Sequence, residues 1–203
     1  MRGFQTSSLP GVSGWIGRVL RFDFSAFDEI RSHPAATTPA LLVVVVASVL
    51  AGFGSWIWAL QTDSIDGGEV FVKSLVIGSI LQALAWLVWV YVTRLVLARY
   101  GAHSDLKEMV RVMGFAFAPV GLTILIAITP LAVPIGIALW ALAVLVNNAA
   151  IQSATTADSQ QVTVANITGF AAFALIMGFL ANISEIGNVG GLAPGLFFFA
   201  LDL

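Results

Sequence analysis

The sequence predicts an all-α, polytopic integral membrane protein. It has five transmembrane helices, N-terminus inside and C-terminus outside, preceded by a short cytoplasmic amphipathic segment. Three observations predict this. Of the 203 residues, 59% are hydrophobic and only 10% charged, with mean hydropathy +0.96; soluble domains carry about a quarter charged residues and keep large apolar patches covered. The apolar residues gather into five runs, most near the ~20 residues that cross ~30 Å of hydrocarbon. The basic residues are lopsided: Arg2, Arg18, Arg21 and Arg31 precede the first run, Arg94, Arg99, Lys107 and Arg111 cluster between the second and third, and Lys73 alone falls on the other side. Lys and Arg flanking a span resist translocation, so both basic groups stay inside.

The segment 1–38 comes first. Its start, Met1 to Pro10, lacks the charged-then-apolar layout of a cleaved leader, so the first span is expected to act as an uncleaved signal-anchor. Trp15, Ile16, Val19, Leu20, Phe22, Phe24, Phe27 and Ile30 alternate with Arg18, Arg21, Asp23, Asp28, Glu29 and Arg31. That texture suits a segment in the cytoplasmic headgroup plane, or a helix that docks a partner. Ser25 is placed to cap a short helix, which His33-Pro34 ends, because a residue before proline avoids helical geometry.

The membrane domain covers 39–181. Its first helix spans 39–60, with Pro39 in the first turn and Trp56 and Trp58 near the far end. An acidic connection (Asp63, Asp66, Glu69) with a Gly67-Gly68 turn leads to the second helix, 70–97, long enough to tilt. After a basic loop, Ser104 or Asp105 caps the third, 105–128, with Glu108 three residues after Asp105 as in a capping box. Pro119 in its middle removes a backbone hydrogen bond and should kink it. An uncharged turn (Thr129-Pro130 to Pro134) leads to the fourth helix, 135–153, and a polar stretch to the fifth, 162–181. The tail 182–203 is Gly-rich and then apolar (Leu196 to Leu201), too short to span and expected on the outer side.

Chemistry is sparse. No Asp, Glu, Lys, Arg or His lies inside the five runs away from their ends, and intramembrane ionisable groups are what mark proton relays and ion paths. Without cysteine there is no thiol nucleophile or Cys-ligated metal, and His33 and His103 lack partners at ligand spacing. No catalytic, cofactor or metal residue is therefore assigned. With pI near 5.5, nucleic acid is not an expected partner. Asn147, Asn148 and Gln152 form a polar patch near the cytoplasmic end of the fourth helix, Asn148 and Gln152 one turn apart on one face. Interhelical hydrogen bonding explains them most simply. Small residues four apart (Ser48/Gly52, Ser74/Gly78, Gly114/Ala118, Ala174/Gly178) permit close backbone approach. Trp86, Trp89 and Trp140 lie well inside their helices, suited to bundle packing or to a surface for a pigment, quinone or neighbouring subunit. The triplets beginning at Asn166 and Asn182 match the glycosylation pattern; at membrane depth the first is accidental.

Two stretches carry a family resemblance: Phe27-Asp28-Glu29-Ile30-Arg31-Ser32-His33-Pro34 before the first span, and Leu106 to Pro119. The second resembles the third-helix entry of the Yip (Ypt-interacting protein) family, where a Gly-aromatic pair precedes a proline; Gly114, Phe115 and Pro119 hold those positions. Five spans with the N-terminus inside is the layout the resemblance implies, over roughly residues 18–181. Eukaryotic members are associated with Rab-type GTPases and vesicle traffic, and carry a cytoplasmic Asp-Leu-Tyr-Gly-Pro signature. That signature is absent here, so the chain looks like a short prokaryotic member of the cytoplasmic membrane.

The expected function is non-enzymatic: a scaffold or accessory subunit that organises or stabilises a membrane complex, with lipid and other integral membrane proteins as partners. Gly114, Phe115, Pro119, Asn148, Gln152, Trp86 and Trp89 are the candidate helix-packing or partner contacts. The alternative is a passive channel or carrier for a small neutral or lipid-like solute.

Overall fold

Five apolar helical spans run through the computed structural model, which describes residues 11–62 and 66–184. They cover Pro34–Thr62, Gly67–Arg99, Leu106–Ala127, Thr129–Ser153 and Ser159–Ile183, and no strand occurs among the described residues. Each expected span is present, extended by a few residues at one or both ends or trimmed by one. The apolar part of the tail falls outside the described residues.

Two short helices, α1 (Val12–Leu20) and α2 (Ala26–Ser32), lead into a single turn of 3-10 helix and then α3 (Thr37–Thr62). The second span starts as α4 (Gly67–Val70), where the Gly68 amide donates to the Asp66 carboxylate. It widens into a π-helical stretch, Phe71–Ile77, and continues as α5 (Gly78–Arg99). The third span begins as α6 (Leu106–Ala116), capped by Asp105 accepting from the Lys107 amide. At Pro119 the outcome is more than a kink. The α-helix stops at Ala116, and Ala118–Ala127 is wound as 3-10 helix, ten residues where such runs rarely exceed about four. The fourth and fifth spans are α7 (Ala132–Ser153) and α8 (Ser159–Ser184).

The third span packs against α3 on one side and α7 on the other, while α5 pairs with α8. Contacts of α3 with α5 and α7 with α8 close the circuit. The third span is 72% buried, against 28–50% for the others. It is the central element, and small residues let its neighbours close on it. A Cβ on Gly54 of α3 would lie 2.8 Å from the Thr123 carbonyl oxygen, and one on Gly52 2.9 Å from that of Ser74. The glycines of α3 thus receive the 3-10 stretch and the π stretch, where non-α winding brings backbone against backbone.

Two connections at the basic end finish helices in left-handed geometry. Gly101 (φ +73°) ends α5, with its N–H on the Ala98 carbonyl and that of Ala102 on Leu97. Phe22 (φ +62°) ends α1 in the same way, with Asp23 N–H on Arg18 and Phe22 N–H on Val19. The pattern is a Schellman motif, which favours glycine at the left-handed position.

Candidate functional site

The α1–α2 segment is a cap on the basic end of the bundle. Trp15, Val19, Ala26, Phe27 and Ile30 are buried; α2 packs on α6 and α7, and α1 on the third span. Trp15 meets Phe115 edge to face at 5.6 Å and the His33 ring at 5.8 Å. Arg18 ties the cap together: its Nε donates to Asp23 and its Nη1 to Glu29, each at 2.7 Å, and its Nη2 to the Ser25 hydroxyl at 2.9 Å. Ser25 donates to Asp23 instead of capping α2. The hydrogen bond from Arg18 holds the Glu29 carboxyl below its ordinary value. Ser25 and then Arg18 do the same for Asp23, and Glu29 and then Asp23 raise Arg18. Arg31 fastens the cap to the bundle by donating to the Ser153 carbonyl at the end of α7.

Deeper in, the last four spans meet at an aromatic cluster. Phe117, the residue that ends α6, lies 6.2 Å from Trp140 and 6.4 Å from both Trp86 and Phe173. Trp89 lies 5.1 Å from Phe170. Gly169 is the position where α8 closes on α5, since a Cβ there would sit 2.6 Å from the Trp89 ring. Asn166 bridges three spans, accepting from the Trp89 indole at 3.1 Å and donating to the Val144 carbonyl at 2.9 Å. Both amide atoms of buried Gln82, Trp86 Nε1, Thr93 Oγ1 and the Oδ1 atoms of Asn147 and Asn148 have no hydrogen-bond partner among the described residues. Among the described residues no His, Asp and Glu side chains gather as a metal site.

These observations place the sequence candidates at four separate places. Gly114 and Phe115 lie under the cap, where a Cβ on Gly114 would meet that of Ala40 at 2.8 Å. Pro119 is buried one residue into the 3-10 stretch. Trp86 and Trp89, both 0% exposed, belong to the aromatic cluster. Asn148 and Gln152 do not bond each other; Gln152 donates to the Ala157 carbonyl beyond the end of α7.

The family comparison follows the same span. The sequence model of the Yip1 domain matches residues 17–183, from α1 in the cap to the end of the fifth helix. The chain belongs to the Yip1 domain family. No curated protein and no solved structure gives a match.

One side chain of this Yip1-domain protein adds to the sequence reading. Arg111 stands inside the third span, 6% exposed, with no hydrogen-bond partner for its Nε. It stands in the second turn of that span, near the basic end, so the sequence reading of no ionisable group away from the span ends is unaltered. Its position six residues into the span was visible in the sequence; its burial was not, because α6 is covered by α2, α3 and α7, which lie far from it in the chain. The Arg18 cluster was likewise missed, although Arg18, Asp23 and Glu29 were each read as the polar face of the segment.

Proposed function

We propose that the chain is a non-enzymatic scaffold or accessory subunit that organises or stabilises a complex in the cytoplasmic membrane of a prokaryote. Its cap would face the cytoplasm and its C-terminus the outside, with other integral membrane proteins as partners. Phe22 carries this reading. A bulky residue in left-handed geometry costs on the order of 1–3 kcal/mol, and here it holds a ring that is 56% exposed. Beside it stand Phe24, 6.1 Å away and also exposed, and the exposed Leu20. Folding alone favours glycine or asparagine at that position. An aromatic ring held outward there supports a docking role.

Purification from the native host in mild detergent, with mass spectrometry of co-purifying chains, tests it. A stoichiometric companion is expected, and Phe22→Gly, which suits the backbone, should lose it while melting no lower. A native protein that purifies alone as a monomer overturns the reading. The unpaired polar atoms of Gln82, Asn147 and Asn148 are what a passive solute path would use. Against it, Trp86, Phe117, Trp140 and Phe173 fill the space where the last four spans meet. Solute flux through reconstituted protein that falls on substitution of Asn147 and Asn148 would favour the path.

A further inference from the structure

A buried indole N–H usually meets an acceptor, because a donor taken out of water and left unpaired costs free energy. Trp89 follows the rule and donates to Asn166 at 3.1 Å. Trp86, three residues earlier on α5, does not. It is 0% exposed, and its Nε1 has no partner among the described residues. Indole is a donor only, so what satisfies it is an oxygen brought by another molecule.

Trp86 also lines a groove of about 360 Å³ between α3 and α5. Val44 and Ala83 form the floor with it, and Leu41, Val45, Leu84 and Leu87 stand at the rim, all four exposed. The groove follows α3 from Leu41 to Val49, ~12 Å along the axis. It ends where the Ser79 hydroxyl donates to the Ser48 carbonyl at 3.0 Å. No charged residue lines it.

Size and depth choose the occupant. A further helix, about 10 Å across, is too wide for this space; one chain or one flat ring fits. Both walls belong to spanning helices, so the ligand comes from the bilayer. The Trp86 ring lies 6.4 Å from Phe117, the twelfth of the 22 residues of the third span. The indole therefore stands near the middle of the membrane. Phospholipid ester oxygens sit at the edge of the hydrocarbon, ~15 Å away, being half of its ~30 Å thickness. Acyl chains bring no acceptor. An oxygen at this depth belongs to a lipid whose polar atoms ride within the hydrocarbon.

We propose that the groove binds a neutral, carbonyl-bearing isoprenoid lipid of the quinone class. A ring carbonyl accepts from Trp86 Nε1, and the tail lies along α3 toward Leu41.

The test uses full-length protein in phosphatidylcholine nanodiscs, titrated with a short-chain menaquinone or with squalene, an isoprenoid hydrocarbon that has no oxygen. Binding is followed by the indole N–H NMR resonances, the Trp86 signal being the one lost in Trp86→Phe. Wild type should bind the menaquinone about tenfold more tightly than squalene, with a downfield shift of that signal. Trp86→Phe, which keeps an aromatic ring and removes the N–H, should bind the two equally. Ala83→Leu, which fills the floor from a half-buried position, should lose both with the Trp86 resonance still present. The menaquinone should raise the melting temperature of wild type and leave that of Ala83→Leu unmoved. Equal affinity of wild type for menaquinone and squalene overturns the proposal. So does a preference that survives in Trp86→Phe, or full binding by Ala83→Leu.

Discussion

The indole N–H of Trp89 and the side-chain oxygen of Asn166 meet at 3.1 Å in the interior, and the same amide donates across to the α7 backbone. One asparagine therefore fastens α8 to both of its neighbours. Asn166→Leu should destabilise the bundle by about 1–2 kcal/mol, since membrane hydrogen bonds average about 0.6 kcal/mol each and reach about 1.7. Unfolding in mixed detergent–SDS micelles measures this. A Leu variant as stable as wild type would show that the bridge carries nothing.

Two glycines of this Yip1-domain protein should respond oppositely to alanine. Gly114→Ala places its Cβ 2.8 Å from the Ala40 Cβ and 2.9 Å from its carbonyl; overpacking of that kind costs about 1–3 kcal/mol. Gly17, inside α1, has nothing within 4 Å of an added Cβ. There alanine should stabilise by about 0.5–1 kcal/mol through helix propensity. Paired melting curves check both signs.

Acid should loosen the cap within a definite window. Asp23 and Glu29 are held below their ordinary values, so their contribution is complete above the usual carboxylate range and is lost as pH falls through the lower folded values. Arg18 is raised and stays charged throughout, so it adds no dependence near neutrality. The Trp15 indole donates to Glu29 at 3.4 Å and serves as the reporter. Its indole N–H NMR resonance should hold steady through the ordinary carboxylate range and shift only below it. In Arg18→Gln the midpoint should move upward; an unmoved midpoint refutes the assignment.

Sidedness is open to direct labelling, because the chain has no cysteine. Thr62 and Ser159 are both exposed and stand at opposite ends of the bundle. Thr62→Cys should react with a membrane-impermeant maleimide added outside intact cells, and Ser159→Cys only after lysis. Reaction of both from the same side would break the five-span arrangement.

The spans were legible because twenty apolar residues in a row leave few alternatives, and the basic residues mark one end without any packing information. Asp105 was legible as a cap for the same local reason. The winding of the second and third spans was not. Pro119 marks where α-helix stops, but what replaces it depends on Gly54 reaching Thr123, a contact between residues far apart in the chain. The candidate residues scattered for a related cause: spacing put Asn148 and Gln152 on one face, and the α7–α8 turn then drew Gln152 away to Ala157. Burial of Arg111 depends on the helices packed on α6, which no window around it contains.

The ten residues from Ala118 to Ala127 rise ~2.0 Å each as 3-10 helix, against ~1.5 Å in α-helix. The 22 residues of the third span thereby reach ~38 Å, the length of about 25 α-helical residues. The fourth and fifth spans, Thr129–Ser153 and Ser159–Ile183, have 25 each. The tighter winding lets the central and shortest segment match the hydrophobic gauge of the spans around it. Replacing Pro119 so that α-helix continued would leave the middle of the protein about a turn short of the bilayer its flanks are built for.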